Sequence, residues 1–186
     1  MATTVTITYL QSFSPAELKA AASAQANDVA LIRAEVPSPP LNRFLYTAVG
    51  GDWYWRDRLV WNYERWMQYL NRDEVQTWVL YRRGTPAGYL ELELQRSGED
   101  VEIVYFGLLP EFIGQGLGGW LLSEGIQRAW AMGPTRRVWV HTCTLDGPHA
   151  LANYEARGLS IYKTESLIVP EVGEPDGPWP GARRSA

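Results

Sequence analysis

Polar and hydrophobic positions alternate most cleanly in AGYLELELQ, where Leu90, Leu92 and Leu94 interleave with Glu91, Glu93 and Gln95. That period of two predicts a strand with one apolar and one polar face. QTWVLYRR before it reads as a strand, with RRGTPAG as the turn between them. SGED forms a second turn, and VEIVYFGLL, mostly apolar, reads as a third and central strand. Together these make an antiparallel meander. Residues 118–132 change to helical spacing, with Leu122, Ile126 and Ala129 on one face and Gly133-Pro134 as the stop. RRVWVHTCTL is the next strand, and the strand–helix–strand order makes it parallel to VEIVYF. PHALANYEARG predicts a short helix ending at Gly158, and LSIYKTESLIV a last strand.

The first third carries a weaker pattern. VTITYL predicts a strand, and PAELKAAASAQA a helix opened by Ser14 with Pro15 in its first turn. ALIRAEVPSPP is expected to end in an extended Pro-rich loop. From Leu59 the positions Tyr63, Trp66, Met67 and Leu70 repeat at helical spacing, with Asn71 as the stop. The tail EVGEPDGPWPGARRSA, 171–186, is expected to be poorly ordered. The predicted fold class is mixed α/β in one domain over 1–170.

Composition narrows the function. With 186 residues and 46% apolar content, the chain can build a substantial core. A net charge of −4 without a Lys/Arg stripe argues against nucleic acid as a partner. No apolar stretch is long enough to span a bilayer, and no leader pattern opens the chain, so a cytoplasmic protein without a membrane partner is expected. The lone Cys143 excludes an intramolecular disulfide framework and a Cys-rich zinc site. His141 and His149 lack a third ligand at sensible spacing, so no metal is expected. Either histidine could serve as a base, but His141 alternates with Trp139 and reads as a hydrogen-bonded sheet residue, and Cys143 as a small buried one.

The candidate chemistry sits where the third meander strand turns into a helix. There the chain reads FGLLPEFIGQGLGGWLL, with glycines at 114, 116, 118 and 119. The first N–H groups of a helix have no partner within it, and glycine lets an anion approach them closely. An ATP-type loop needs Lys and Ser or Thr after its last glycine, and Trp120 follows Gly119. The dinucleotide fingerprint G-x-G-x-x-G is present as Gly114, Gly116 and Gly119, but a meander precedes it and the stretch VWVH offers no ribose-binding acid.

A third candidate is coenzyme A, and it rests on a resemblance: the chain resembles the GNAT family of acetyl-CoA-dependent N-acyltransferases. The family's Q/R-x-x-G-x-G/A signature falls on Ile113-Gly114-Gln115-Gly116-Leu117-Gly118, with Ile113 replacing the usual Gln or Arg. A second motif, Y-E-x-x-G-F, is matched by Tyr154-Glu155-Ala156-Arg157-Gly158-Leu159. The family often has an Asn seven residues before that Tyr, and Gly147 stands there, beside Asp146. The resemblance covers 76–168 as a CoA-binding core, with 1–75 as the variable acceptor-side part.

The resemblance implies a sheet of six to seven strands in which the central strand splays from its parallel neighbour. Acetyl-CoA would serve as cosubstrate. The backbone of Phe106, Gly107 and Leu108 would meet its pantetheine arm, and the N–H groups of 113–119, Gly119 included, its pyrophosphate. The Leu108 N–H would receive the oxyanion, Tyr154 would protonate the thiolate, and Glu102 would be the direct base. Glu91 and Glu93 would position the amine or relay its proton. The acceptor pocket would draw on Trp53, Tyr54 and Trp55, whose aromatic faces next to carboxylates suit a cationic amine. The expected activity is acetyl transfer by direct attack to a primary amine of a small molecule or peptide, carried out by a monomer or homodimer. The alternative is a non-catalytic acyl-CoA-binding module on the same fold.

Overall fold

The computed structural model describes residues 2–22, 28–95 and 98–182. Seven strands form one mixed sheet: β1 (Ala2–Ser12), β2 (Val29–Arg33), β3 (Val75–Arg82), β4 (Thr85–Leu94), β5 (Asp100–Leu108), β6 (Arg137–Cys143) and β7 (Ser160–Pro170). Four α-helices join them among the described residues: α1 (Pro39–Gly50), α2 (Tyr63–Leu70), α3 (Leu117–Trp130) and α4 (Ala150–Ala156). The strand order is β2-β3-β4-β5-β6-β1-β7. All neighbours are antiparallel except β5 and β6. The expected meander is β3-β4-β5, and α3 carries the chain over to parallel β6.

Helices cover both faces of the meander, and the two faces bury different chemistry. On one, α3 packs Leu121, Leu122 and Ile126 against Leu90, Leu92, Ile103, Val138 and Val140. On the other, α1 sets Leu45 and Val49 against Val79 and Tyr89, while α2 contributes Trp66 and Leu70. The polar face of β4 predicted from LELEL is therefore not solvated. Glu91 is 1% exposed. Its charge is balanced by Arg58, 5% exposed, whose Nη1 lies 2.9 Å from Glu91 Oε1. The Arg58 guanidinium stands over the rings of Tyr69, Tyr105, Trp61 and Trp66, at 4.1 to 5.6 Å. A buried cation requires such company, and here it ties the α1–α2 connection to the sheet.

Two N-terminal expectations are corrected. Ser14 caps its segment as predicted, but only a 3-10 turn over Pro15–Glu17 follows, and Leu18 is extended at ψ 120°. Its one large apolar side chain, Leu18, packs against the core, so a helix here would have no broad apolar stripe to bury. The segment runs along the sheet's helical layer instead, where the N–H of Lys19 donates to the Arg157 carbonyl and that of Ala21 to Ser123 Oγ. The rest of that predicted helix, 23–27, lies outside the described residues. The segment around ALIR forms an edge strand, β2, and the expected loop follows over residues 34–38, but Pro39 opens α1, with Ser38 as N-cap, instead of extending that loop. The tail is also tied down over residues 172–177. Arg56 bonds Asp176 Oδ2 at 2.6 Å and the carbonyls of Val172 and Glu174, and the Gly177 N–H donates to the Gly51 carbonyl.

Candidate active site

Strands β5 and β6 pair over only three positions, Asp100↔Arg137, Val101↔Val138 and Glu102↔Trp139. Beyond Glu102 they part. The cause is local: Val104 is an extra residue in β5, since Ile103 faces Leu92 while Tyr105 faces Glu91. Such a bulge bends its strand and increases the twist. The Leu109 N–H donates to the Ala87 carbonyl on the β4 side. Alternation along the strand then turns the main-chain groups of Phe106 and Leu108 toward the open side. Gly107 points its α-carbon at α1, where an added Cβ would lie 2.4 Å from Val49 Cγ1.

The parting opens a cleft of about 1020 Å³. It is lined by Ile113, Gly114, Gly118 and Gly119 of the glycine turn, by the 105–108 stretch and Tyr154, and by Trp53, Tyr54, Trp55 and the 145–149 loop. Gly114 and Gly116 have φ of +80° and +76°, in the left-handed region glycine favours, and a Cβ on either would meet nothing within 4 Å. Among the described residues nothing accepts from the N–H groups of Gly114, Gln115 and Gly116. Leu117, Gly118 and Gly119 open α3 and hold its orphan donors. Gln115 turns its amide back onto the Glu111 carbonyl. The exposed Ile113 adds no polar group, but a cation is nearby. An added Cβ on Gly119 would sit 2.5 Å from Arg157 Nη1, and Arg157 Nε is buried without a hydrogen-bond partner among the described residues. Arg157 lies inside the Tyr-Glu-x-x-Gly stretch and was not singled out from sequence.

Tyr154 is 6% exposed, on α4, with its ring 6.0 Å from that of Phe106. Burial, aided by Asp146, raises its phenol well above the ordinary range, so the hydroxyl stays protonated. Glu102 accepts from Gln95 Nε2 at 2.9 Å and lies 3.3 Å from His141 Nδ1. It does not line the cleft, but His141 does. Glu91 and Glu93 also stay off the cleft. Glu91 takes Arg58 and the Tyr69 hydroxyl, and Glu93 takes Arg72 at 2.8 Å. Burial raises the Glu91 carboxyl, against the pull of Arg58 and Tyr69. Cys143, expected to be buried, is half-buried and lines the cleft, its thiol raised by burial and by Asp146.

Trp55 packs its ring where a Cβ of Gly50 would stand and meets Tyr46, Tyr89 and Tyr105. Trp53 reaches across to Gly147. Tyr54, at φ +60°, gives its hydroxyl to the Gly173 carbonyl of the tail. Among the described residues no group of three His, Cys, Asp or Glu converges to hold a metal, and no helix is long and apolar enough to cross a membrane.

A cleft between parted strands, lined by the amides of a glycine turn, suits an acyltransferase that uses an acyl-CoA donor. The chain belongs to the acetyltransferase (GNAT) family, whose model matches residues 41–159. No curated protein shows significant similarity to it. Among solved structures, a GCN5-related N-acetyltransferase from Kribbella flavida superposes with a TM-score of 0.64 at 17% identity, over 92% of this chain and 60% of that one. A conserved protein of unknown function from Staphylococcus epidermidis ATCC 12228 gives 0.57 at 21% identity, over 90% and 62%. The chain thus spans about 60% of the length of these two. An aminoglycoside acetyltransferase from an uncultured soil metagenomic sample, in complex with sisomicin, gives 0.55 at 18% identity, over 71% and 87%. At these identities the likeness establishes the fold.

Proposed function

We propose that the protein transfers an acetyl group from acetyl-CoA to a primary amine by direct attack in a ternary complex. The observation that carries this reading is that one cleft is lined together by the glycine turn, the unpaired edge of β5, Tyr154 and the aromatic residues Trp53, Tyr54 and Trp55. The residues present fit acetyl-CoA. Free N–H groups at 114–119 suit a pyrophosphate, with Arg157 beside them to balance charge. The main-chain groups of Phe106 and Leu108 suit an extended amide-bearing arm.

Acetyl-CoA supplies the activated thioester. The chain's own groups orient it, receive the developing oxyanion at the Leu108 N–H, and deliver a proton from the Tyr154 hydroxyl to the leaving sulfur. The membership of this chain in an acetyltransferase family and the presence of a small-molecule acetyltransferase among its structural neighbours support the reading. Thiol release from acetyl-CoA across a panel of primary amines tests it. At least one amine is expected to raise the rate well above hydrolysis. A flat panel, with acetyl-CoA binding confirmed by calorimetry, would instead favour a binding module.

A further inference from the structure

The two faces of the sheet meet at the cleft, and they carry different proton-active groups. Tyr154 belongs to the α3/α4 face with Val138 and Val140. On β6, Trp139 and His141 alternate with those residues and lie on the opposite face, the one α1 and α2 cover elsewhere. A thioester held in the gap between β5 and β6 would have Tyr154 to one side and His141 to the other. An incoming amine needs its proton removed on the side away from the leaving sulfur, and His141 stands there.

Glu102 is the last residue of β5 paired with β6, and His141 is two residues past its partner Trp139, where the strands part. Glu102 Oε1 and His141 Nδ1 are 3.3 Å apart, which orients the imidazole and leaves its other nitrogen free of that contact. The imidazole side chain is 46% exposed, the carboxylate 13%. The ring of Tyr9 from β1 lies 5.8 Å from His141, its hydroxyl given to Glu165. Asp146, from the loop after β6, and Asp57, from the α1–α2 connection, add negative charge around the same imidazole. Both line the cleft, and no Lys or Arg among the described residues does. Trp53, Trp55 and Tyr105 supply flat apolar walls beside these acids.

We propose that His141, held by Glu102, takes the proton of the acceptor ammonium, and that the acceptor is a cationic primary amine with a flat apolar body. This rests on the acyl-transfer reading and names the other half of that site. The steps balance. The ammonium gives one proton to His141, which passes it to solvent. The nitrogen lone pair forms the bond to the thioester carbon, and the C=O pair moves to the oxygen. Collapse restores C=O and breaks the C–S bond. The thiolate takes the Tyr154 proton, and the second amine proton returns through solvent to the phenolate. Glu102 is a positioning residue, since it reaches the cleft only through His141.

The test uses acetyl-CoA with 2-phenylethylamine, and with spermidine as a polycationic comparison, followed by thiol release. For the wild type, kcat/KM is expected to rise with pH along a limb set by His141, because only the neutral imidazole accepts a proton. His141→Gln should lower kcat by about 100-fold and erase that limb, with acetyl-CoA affinity unchanged. Glu102 raises the imidazole's pKa by hydrogen bonding to it. Glu102→Gln should therefore move the limb to lower pH and reduce kcat less than His141→Gln does. A His141→Gln enzyme with wild-type kcat and pH profile overturns the role of His141. A kcat/KM for spermidine above that for 2-phenylethylamine overturns the acceptor class. Absence of turnover by the wild type with every amine overturns the acyl-transfer reading and this inference with it.

Discussion

Glu91→Ala is expected to lower folding stability by about 3–5 kcal/mol, the usual cost of leaving one member of a buried ion pair alone. Arg58 would stay caged by Tyr69, Tyr105, Trp61 and Trp66 with its charge uncompensated. The Tyr69 hydroxyl, 2.6 Å from Glu91 Oε1, would lose its shortest bond. The double substitution Arg58→Met, Glu91→Leu removes both charges and should recover most of the loss, because apolar replacements of a buried pair are often neutral or better. Urea denaturation of the two single variants and the double closes the cycle. A loss below about 1 kcal/mol for Glu91→Ala would mean that the pair is open to water. The consequence for function is indirect. The Arg58 cage anchors the connection that carries Trp53, Tyr54, Trp55 and Asp57 into the cleft, so loosening it should raise KM for the amine more than for acetyl-CoA.

Tyr154→Phe is expected to lower kcat by about 10²–10⁴-fold, the range of a lost general acid, or roughly 3–5 kcal/mol of barrier. Acetyl-CoA affinity and folding stability should hardly change, since the ring remains against Phe106 and the hydroxyl has no hydrogen-bond partner among the described residues. The pH dependence follows from the raised phenol. Burial and Asp146 disfavour the phenolate, so the donor form persists through the neutral and mildly alkaline range, and no alkaline fall in kcat should arise from this residue. Stopped-flow thiol release with calorimetric binding separates the two effects. A kcat close to that of the wild type would place the proton donor elsewhere.

The part of the chain that was legible is the part where local pattern and tertiary role coincide. The β3-β4-β5 meander, the glycine turn and α3 each follow from a period or a punctuation that the packed molecule keeps. Ser-Pro was not sufficient alone. At Ser14 and Ser38 the same cap signal appears, but only the second opens a helix, because Leu45 and Val49 give α1 an apolar stripe to bury against Val79 and Tyr89. After Pro15 no such stripe follows, and Ala21 lies against α3 near Gly119 instead. The polar face of β4 looked solvated because Arg58, far along the chain, could not be seen to cover Glu91. His141 looked like an ordinary strand residue because its exposure depends on where β6 leaves β5. That departure follows from a one-residue bulge at Val104 with no hydrophobic signature. Arg157 was hidden for the same reason, its neighbour Gly119 being distant in sequence and adjacent in space.

The most direct measurement is a crystal structure of the protein with acetyl-CoA bound. Pyrophosphate oxygens are expected within about 3 Å of the N–H groups of the 114–119 turn, with the pantetheine arm along Phe106 and Leu108 and its sulfur near Tyr154. Density for the ligand outside the space between β5 and β6, or a glycine turn that makes no contact with phosphate, would contradict that placement and the chemistry built on it.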